Sequence, residues 1–180
     1  MDDAELRRRL EDAHPECFGW ALACCGRDRD EAEEVLQMAY LAVLDGHARY
    51  DGRSSFRTWL FGVIRRTAAS ARRRRWLRRA LLLRHAHRVA RPEPEEELVA
   101  DEPVARALAD ALARLSARQR SLLQLVFYHG LTVDEAGAAL GISAGAARTH
   151  YARGKARLAA LLAPAPEQVG SWDREPERAR

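Results

Sequence analysis

The sequence predicts an all-α protein of two small helical domains, and three observations carry that prediction. Apolar residues recur at helical spacing, as in Ala32, Val35, Leu36, Ala39, Tyr40, Val43 and Leu44, and no stretch reads as a strand. Residues that cap helix starts stand before such stretches, and glycines stand after them. Between positions 91 and 103 the segment RPEPEEELVADEP holds Pro92, Pro94, Pro103 and six acids, a composition that cannot make a packed element and reads as a linker. The expected layout is therefore a domain over 1–90, a linker over 91–103, a domain over 104–163, and a polar, proline-containing disordered tail over 164–180.

Composition bounds the function. At 180 residues and 47% hydrophobic content the chain can bury a core. No apolar run approaches the roughly 20 residues that span a bilayer, and MDDAELRRRLEDA lacks the apolar centre of a signal peptide, so a cytoplasmic protein is expected. Cys17, Cys24 and Cys25 are odd in number and lack paired CxxC spacing, which argues against a disulfide framework or a metal site and for small buried helix residues. His14, His47, His85, His87, His129 and His150 are scattered without ligand spacing or an acid–base pair. No catalytic site, metal or cofactor is predicted.

The net charge of +4 conceals strong segregation: residues 1–51 carry a net −7, whereas residues 52–92 carry 13 arginines and no acid. Residues 93–115 are again acidic and 116–163 basic, at net −5 and +4. Two basic blocks suit a polyanion, and the acidic first segment suits a protein partner.

Taken in order, Glu16 to Cys25 reads as a short helix that Gly26 closes, and Asp30 as the cap of a second helix carrying the apolar stripe above. Glu33, Glu34 and Gln37 lie off that stripe, on an exposed acidic and amide face. Turn signals from Gly46 to Ser54 give a loop, and Ser54 or Ser55 caps a third helix with Phe56, Trp59, Leu60, Val63 and Ile64 on one side. The stretch from Tyr50 to Trp76 combines aromatics with Arg57, Arg65, Arg66 and the run Arg72, Arg73, Arg74 and Arg75, a mixture suited to stacking on bases and holding phosphates. A leucine-rich helix is expected from there to about Ala90.

After the linker, a helix begins at Val104, Ser116 caps the next one, and Gly130 ends it. Thr132 and Glu135 form a capping box that opens a short helix, Gly141 makes the turn, and Ser143 caps a last helix to about Leu162. Small residues around a glycine turn are the signature of a helix-turn-helix. On the last helix Ala147, Tyr151, Gly154, Leu158 and Leu161 share one side, while Arg148, Thr149, Ala152, Arg153, Ala156 and Arg157 form a basic, acid-free opposite side. Such a face suits the major groove.

Together these parts resemble bacterial RNA polymerase sigma factors of the extracytoplasmic-function group. EAEEVLQMAYLAV (31–43) is similar to the polymerase-clamp-binding helix, YDGRSSFRTWLFGVI (50–64) to the loop and helix that open the −10 element, and LARLSARQRSLLQLVFYHGLTVDEAGAALGIS (112–143) to the start of the −35 domain. The resemblance implies core RNA polymerase as a partner through Glu33, Glu34 and Gln37. It implies promoter −10 DNA at Arg49, Tyr50, Asp51, Arg53, Ser54, Ser55 and Phe56, with phosphates held by Arg65, Arg66 and Arg72 to Arg75, and with Trp59 mainly anchoring the helix. It implies −35 DNA at Thr132, Ser143, Arg148, Thr149, Ala152, Arg153 and Arg157. Family members are commonly held by an anti-sigma factor, which adds a further implied partner. Four positions depart from the family's habit: Met38 stands where an acid usually follows the glutamine, Arg66 where asparagine is usual, His150 where a basic residue is usual, and Ser116 where proline is common. A helix-turn-helix regulator that binds duplex DNA without polymerase would explain residues 104–162, but would leave 50–76 without a use.

Overall fold

The computed structural model describes residues 2–85 and 103–163, which form seven helices and no strand. In chain order they are α1 (Asp3–Cys24), α2 (Arg29–Leu44), α3 (Phe56–His85), α4 (Pro103–Ala113), α5 (Ala117–Phe127), α6 (Val133–Ala139) and α7 (Ala144–Leu162). The expected tail and nearly all of the expected linker lie outside the described residues.

Three boundaries differ from the sequence reading, each for a local reason. α1 starts at Asp3 rather than near Glu16, because the Asp2 carboxylate caps it by accepting from the Glu5 amide at 2.7 Å, and Glu5 then pairs with Arg8 and Arg9. Pro15 lies inside this helix on an exposed position, where water can take the Glu11 carbonyl that has lost its donor. α2 is capped by Asp28, not Asp30, through the Glu31 amide at 2.8 Å. α3 runs without a break through Trp76 to His85, so the basic aromatic stretch and the leucine-rich stretch are one rod of 30 residues. At its start Ser55 is the cap, accepting from the Thr58 amide at 3.1 Å and donating to the Thr58 hydroxyl at 2.8 Å.

α1, α2 and α3 pack against one another around Cys17, Trp20, Val35, Leu36, Ala39, Leu60 and Ile64. α5, α6 and α7 surround Leu122, Leu125, Ala136, Ala139 and Ala147, with α4 laid on α7. The α6–α7 crossing depends on Gly137: a β-carbon there would stand 2.8 Å from that of Ala147, closer than packed atoms tolerate. The two groups of helices also meet each other, since α3 packs on α6 and the buried residues of both form one continuous cluster.

Candidate nucleic-acid interface

α2 buries its stripe except at the half-buried Tyr40 and the exposed Leu44, and turns Glu33, Glu34 and Gln37 outward, all three exposed on one face, joined by the exposed Leu41. Glu33 pairs with Arg29 one turn earlier at 3.2 Å, whereas Glu31, on the inner edge, is tied to Arg75 of α3. Arg74 also folds back on α2, reaching the Met38 sulfur at 3.5 Å, and with Glu34, Met38, Leu77 and Arg78 it lines a groove of about 530 Å³. The run of four arginines is thus divided. Arg72 and Arg73 point to solvent, while Arg74 and Arg75 bind α3 to the acidic helix.

The loop between α2 and α3 is held by its own side chains. Tyr50 donates its hydroxyl to the Ser54 carbonyl at 2.6 Å, the Asp51 carboxylate accepts from the Arg53 amide at 3.1 Å, and Gly52 takes a φ of 76° that other residues rarely adopt. Arg49 donates to the Gly46 carbonyl at 3.3 Å. Tyr50, Phe56 and Trp59 form a cluster of three half-buried rings with centroids 5.4–5.5 Å apart, and the Arg9 guanidinium lies 5.8 Å from the Phe56 ring. Phe56 and Trp59 are therefore alike in burial and share one cluster. Phe61, by contrast, is fully buried. Arg49, Asp51, Arg53 and Ser55 are exposed around the aromatic cluster, and farther along α3 Arg66 is exposed and Arg65 half-buried.

In the second domain the expected Thr132–Glu135 capping box closes, and Ser116, expected only as a cap, forms a second box. Ser116 pairs reciprocally with Gln119, and Thr132 with Glu135, whose carboxyl is held below its ordinary value by hydrogen bonds from the Thr132 amide and hydroxyl. Ser143 caps α7 through the Ala146 amide at 3.3 Å. Thr132, Ser143, Arg148, Thr149, Ala152, Arg153 and Arg157 are all exposed, and the opposite side of α7 is buried at Ala147 and Gly154. His150 is half-buried. The sequence reading did not single out Asp134, which holds Arg148 at 2.7 Å across the two helices of the motif.

The cysteines are packing residues: Cys17 and Cys25 are buried, and burial pushes the Cys17 and Cys24 thiols up to about 12 and Cys25 up to about 11. No cluster of three potential metal ligands occurs among the described residues. None of the described helices is long and apolar enough to cross a membrane.

Comparison with known proteins matches both groups of helices. Residues 10–78 match Sigma-70 region 2, and residues 105–158 match Sigma-70, region 4. The ECF RNA polymerase sigma factor SigF of Caulobacter vibrioides is 37% identical over 130 residues, 72% of this chain and 69% of that protein. SigL of Mycobacterium tuberculosis is 32% identical over 164 residues, 87% of this chain and 89% of that protein. The chain belongs to the ECF RNA polymerase sigma factors.

As a sigma factor it directs RNA polymerase to promoters at the start of transcription. Its fold is similar to that of the sigma factor RpoE of Bartonella quintana, solved in complex with the anti-sigma factor NepR, with a TM-score of 0.66 at 22% identity over 88% of this chain and 96% of that one. In this sigma factor the region 2 match takes in most of α1, all of α2 and α3 as far as Arg78, and the region 4 match takes in most of α4 to α7.

Proposed function

We propose a division of labour among the surfaces of this sigma factor. The exposed α2 face of Glu33, Glu34 and Gln37 docks on core polymerase. The braced loop from Arg49 to Ser55, with Phe56 at its end, receives an unpaired −10 base, since a pocket that rewards one base turns the few kcal/mol cost of flipping into sequence choice. Arg65, Arg66, Arg72 and Arg73 hold phosphates, with Arg74 and Arg75 able to join them only by leaving Met38 and Glu31. Thr132, Ser143, Arg148, Thr149, Ala152, Arg153 and Arg157 line the −35 face.

The observation that carries this reading is that the α2 and α7 faces are exposed on helices whose other sides are buried, and that the exposed Arg49 and Arg53 flank the aromatic cluster of the loop. Nucleotide chemistry remains with the polymerase, and the protein works where the polymerase does, in the cytoplasm. An anti-sigma factor is a fitting regulator, given the complex in which the Bartonella quintana relative was solved. Core-polymerase pull-down with Glu34→Arg and Gln37→Ala tests the docking face: at least a severalfold loss of binding is expected, and binding equal to wild type would remove these residues from it.

A further inference from the structure

The arginines at 72 to 75 look equivalent in the sequence, but their positions on α3 set them apart. The buried stripe of this helix runs through Ile64, Ala68 and Ala71, and Arg75 is its next position, one turn farther on. A cation on a core-facing stripe needs a partner there. Glu31 of α2 supplies it: the two form an ion pair in which the Arg75 side chain is 43% exposed and that of Glu31 only 13%. If Arg75 swung out to a phosphate, the Glu31 carboxylate would stay behind, largely shut off from water and without its cation. Arg75 is therefore held.

Arg74 is exposed, and what it reaches on α2 is the Met38 sulfur at 3.5 Å. A thioether is a weak acceptor and carries no charge. A phosphate oxygen is a far stronger partner for a guanidinium, so Arg74 can leave at little cost. Met38 lies seven residues after Glu31, two turns along the same edge of α2. A carboxylate at that position would hold Arg74 as Glu31 holds Arg75. Arg72 and Arg73 are exposed.

We propose that Glu31 and Met38 are positioning residues that set how many arginines of the run bind promoter phosphate. Glu31 withdraws Arg75 from the DNA, and Met38, being uncharged, leaves Arg74 to it. The phosphate-binding part of the run is then Arg72, Arg73 and Arg74, while Arg75 belongs to the joint between α2 and α3. This inference rests on the reading of α3 as a phosphate-binding rod. DNA affinity is thereby tuned from α2 by two residues that touch no DNA.

Phosphate contacts carry no sequence information, so the test uses the full chain and a mixed-sequence duplex of about 30 base pairs. Affinity is measured from about 50 to 200 mM salt, where each phosphate contact adds about 0.9 to the slope of log affinity against log salt. The α7 face contributes equally in every variant. Arg73→Ala should flatten the slope by about 0.9. Glu31→Gln should steepen it by about 0.9 through the release of Arg75, and adding Arg75→Ala to Glu31→Gln should restore the wild-type slope. Met38→Glu should flatten it by about 0.9, and adding Arg74→Ala to Met38→Glu should change it no further. Circular dichroism and melting temperature show which variants are folded. A merely structural Glu31 would lower the melting temperature of Glu31→Gln and leave the slope alone. A folded Glu31→Gln chain with the wild-type slope, or one that stays steep after Arg75→Ala, overturns the proposal. Should Glu31→Gln fail to fold, the Met38→Glu measurements decide alone: an unchanged slope, or further flattening by Arg74→Ala, overturns it. A slope that answers to Arg73 but to neither Glu31 nor Met38 sinks only the positioning role, whereas one that ignores Arg73 as well removes the rod from DNA binding.

Discussion

Arg148 and Asp134 face each other at 2.7 Å, with side chains 66% and 53% exposed. An ion pair so open to water adds about 0–1 kcal/mol to stability. Its consequence is positional, because it fixes the guanidinium over the outer face of α7 before DNA arrives. Arg148→Ala should therefore leave thermal stability within about 0.5 kcal/mol of wild type. Affinity for a −35 duplex should fall by about 1–3 kcal/mol if Arg148 reads a base edge, whereas a phosphate contact would lower the salt slope by about 0.9. Titrations at several salt concentrations distinguish the two, and undiminished binding would put the reading face elsewhere on α7. Exposed residues of this kind were legible in the sequence because helical periodicity separates outer from inner positions. Phe61 and His129 were not: each is buried in part by the ring of the other, across the two groups of helices, and no periodicity within one helix encodes that contact.

At the scale of elements, caps and turns were legible wherever one short motif decides the outcome. Thr132 with Glu135, Ser116 and Ser143 all act as their spacing implies. Thr132→Ala should cost about 1 kcal/mol, seen as a lower melting temperature of the second domain. The Glu135 carboxyl titrates below its ordinary value in the folded state, so its contribution is present above the unfolded value and is lost as pH falls through the folded one. α1 was hidden because its first half carries charge where a core stripe would be expected: only Leu6, Leu10 and Ala13 lead from the Asp2 cap to Cys17. α3 gave no sign of continuity because its apolar content changes character at the arginine run, where Ala68 and Ala71 alone keep the inner side buried.

For the whole molecule, Trp20 joins α1 to α3 by donating its indole N–H to the Phe61 carbonyl at 3.0 Å, and both rings then receive His129. Trp20→Ala should cost about 3–5 kcal/mol in denaturant unfolding, the range for deleting a large buried aromatic. Burial holds the His129 pKa below its ordinary value, with Glu16 of α1 raising it and Arg57 of α3 lowering it. The folded state thus binds fewer protons at His129 than the unfolded one. The stability that His129 contributes should be fully present above about pH 6.5, be lost as pH falls toward the folded pKa, and change no further below it. Melting temperature followed over that interval checks the sign, and a rise at low pH would contradict it.

On the proposed division of labour, this chain brings core polymerase to promoters through a docking face, a −10 loop and a −35 helix. Transcription in vitro by core polymerase on fragmented genomic DNA, with and without the purified chain, tests it most directly. Discrete start sites should appear only with the chain, share sequence at −10 and −35, and weaken with Glu34→Arg or Arg148→Ala. A folded chain that neither binds core polymerase nor yields any such start site would contradict it.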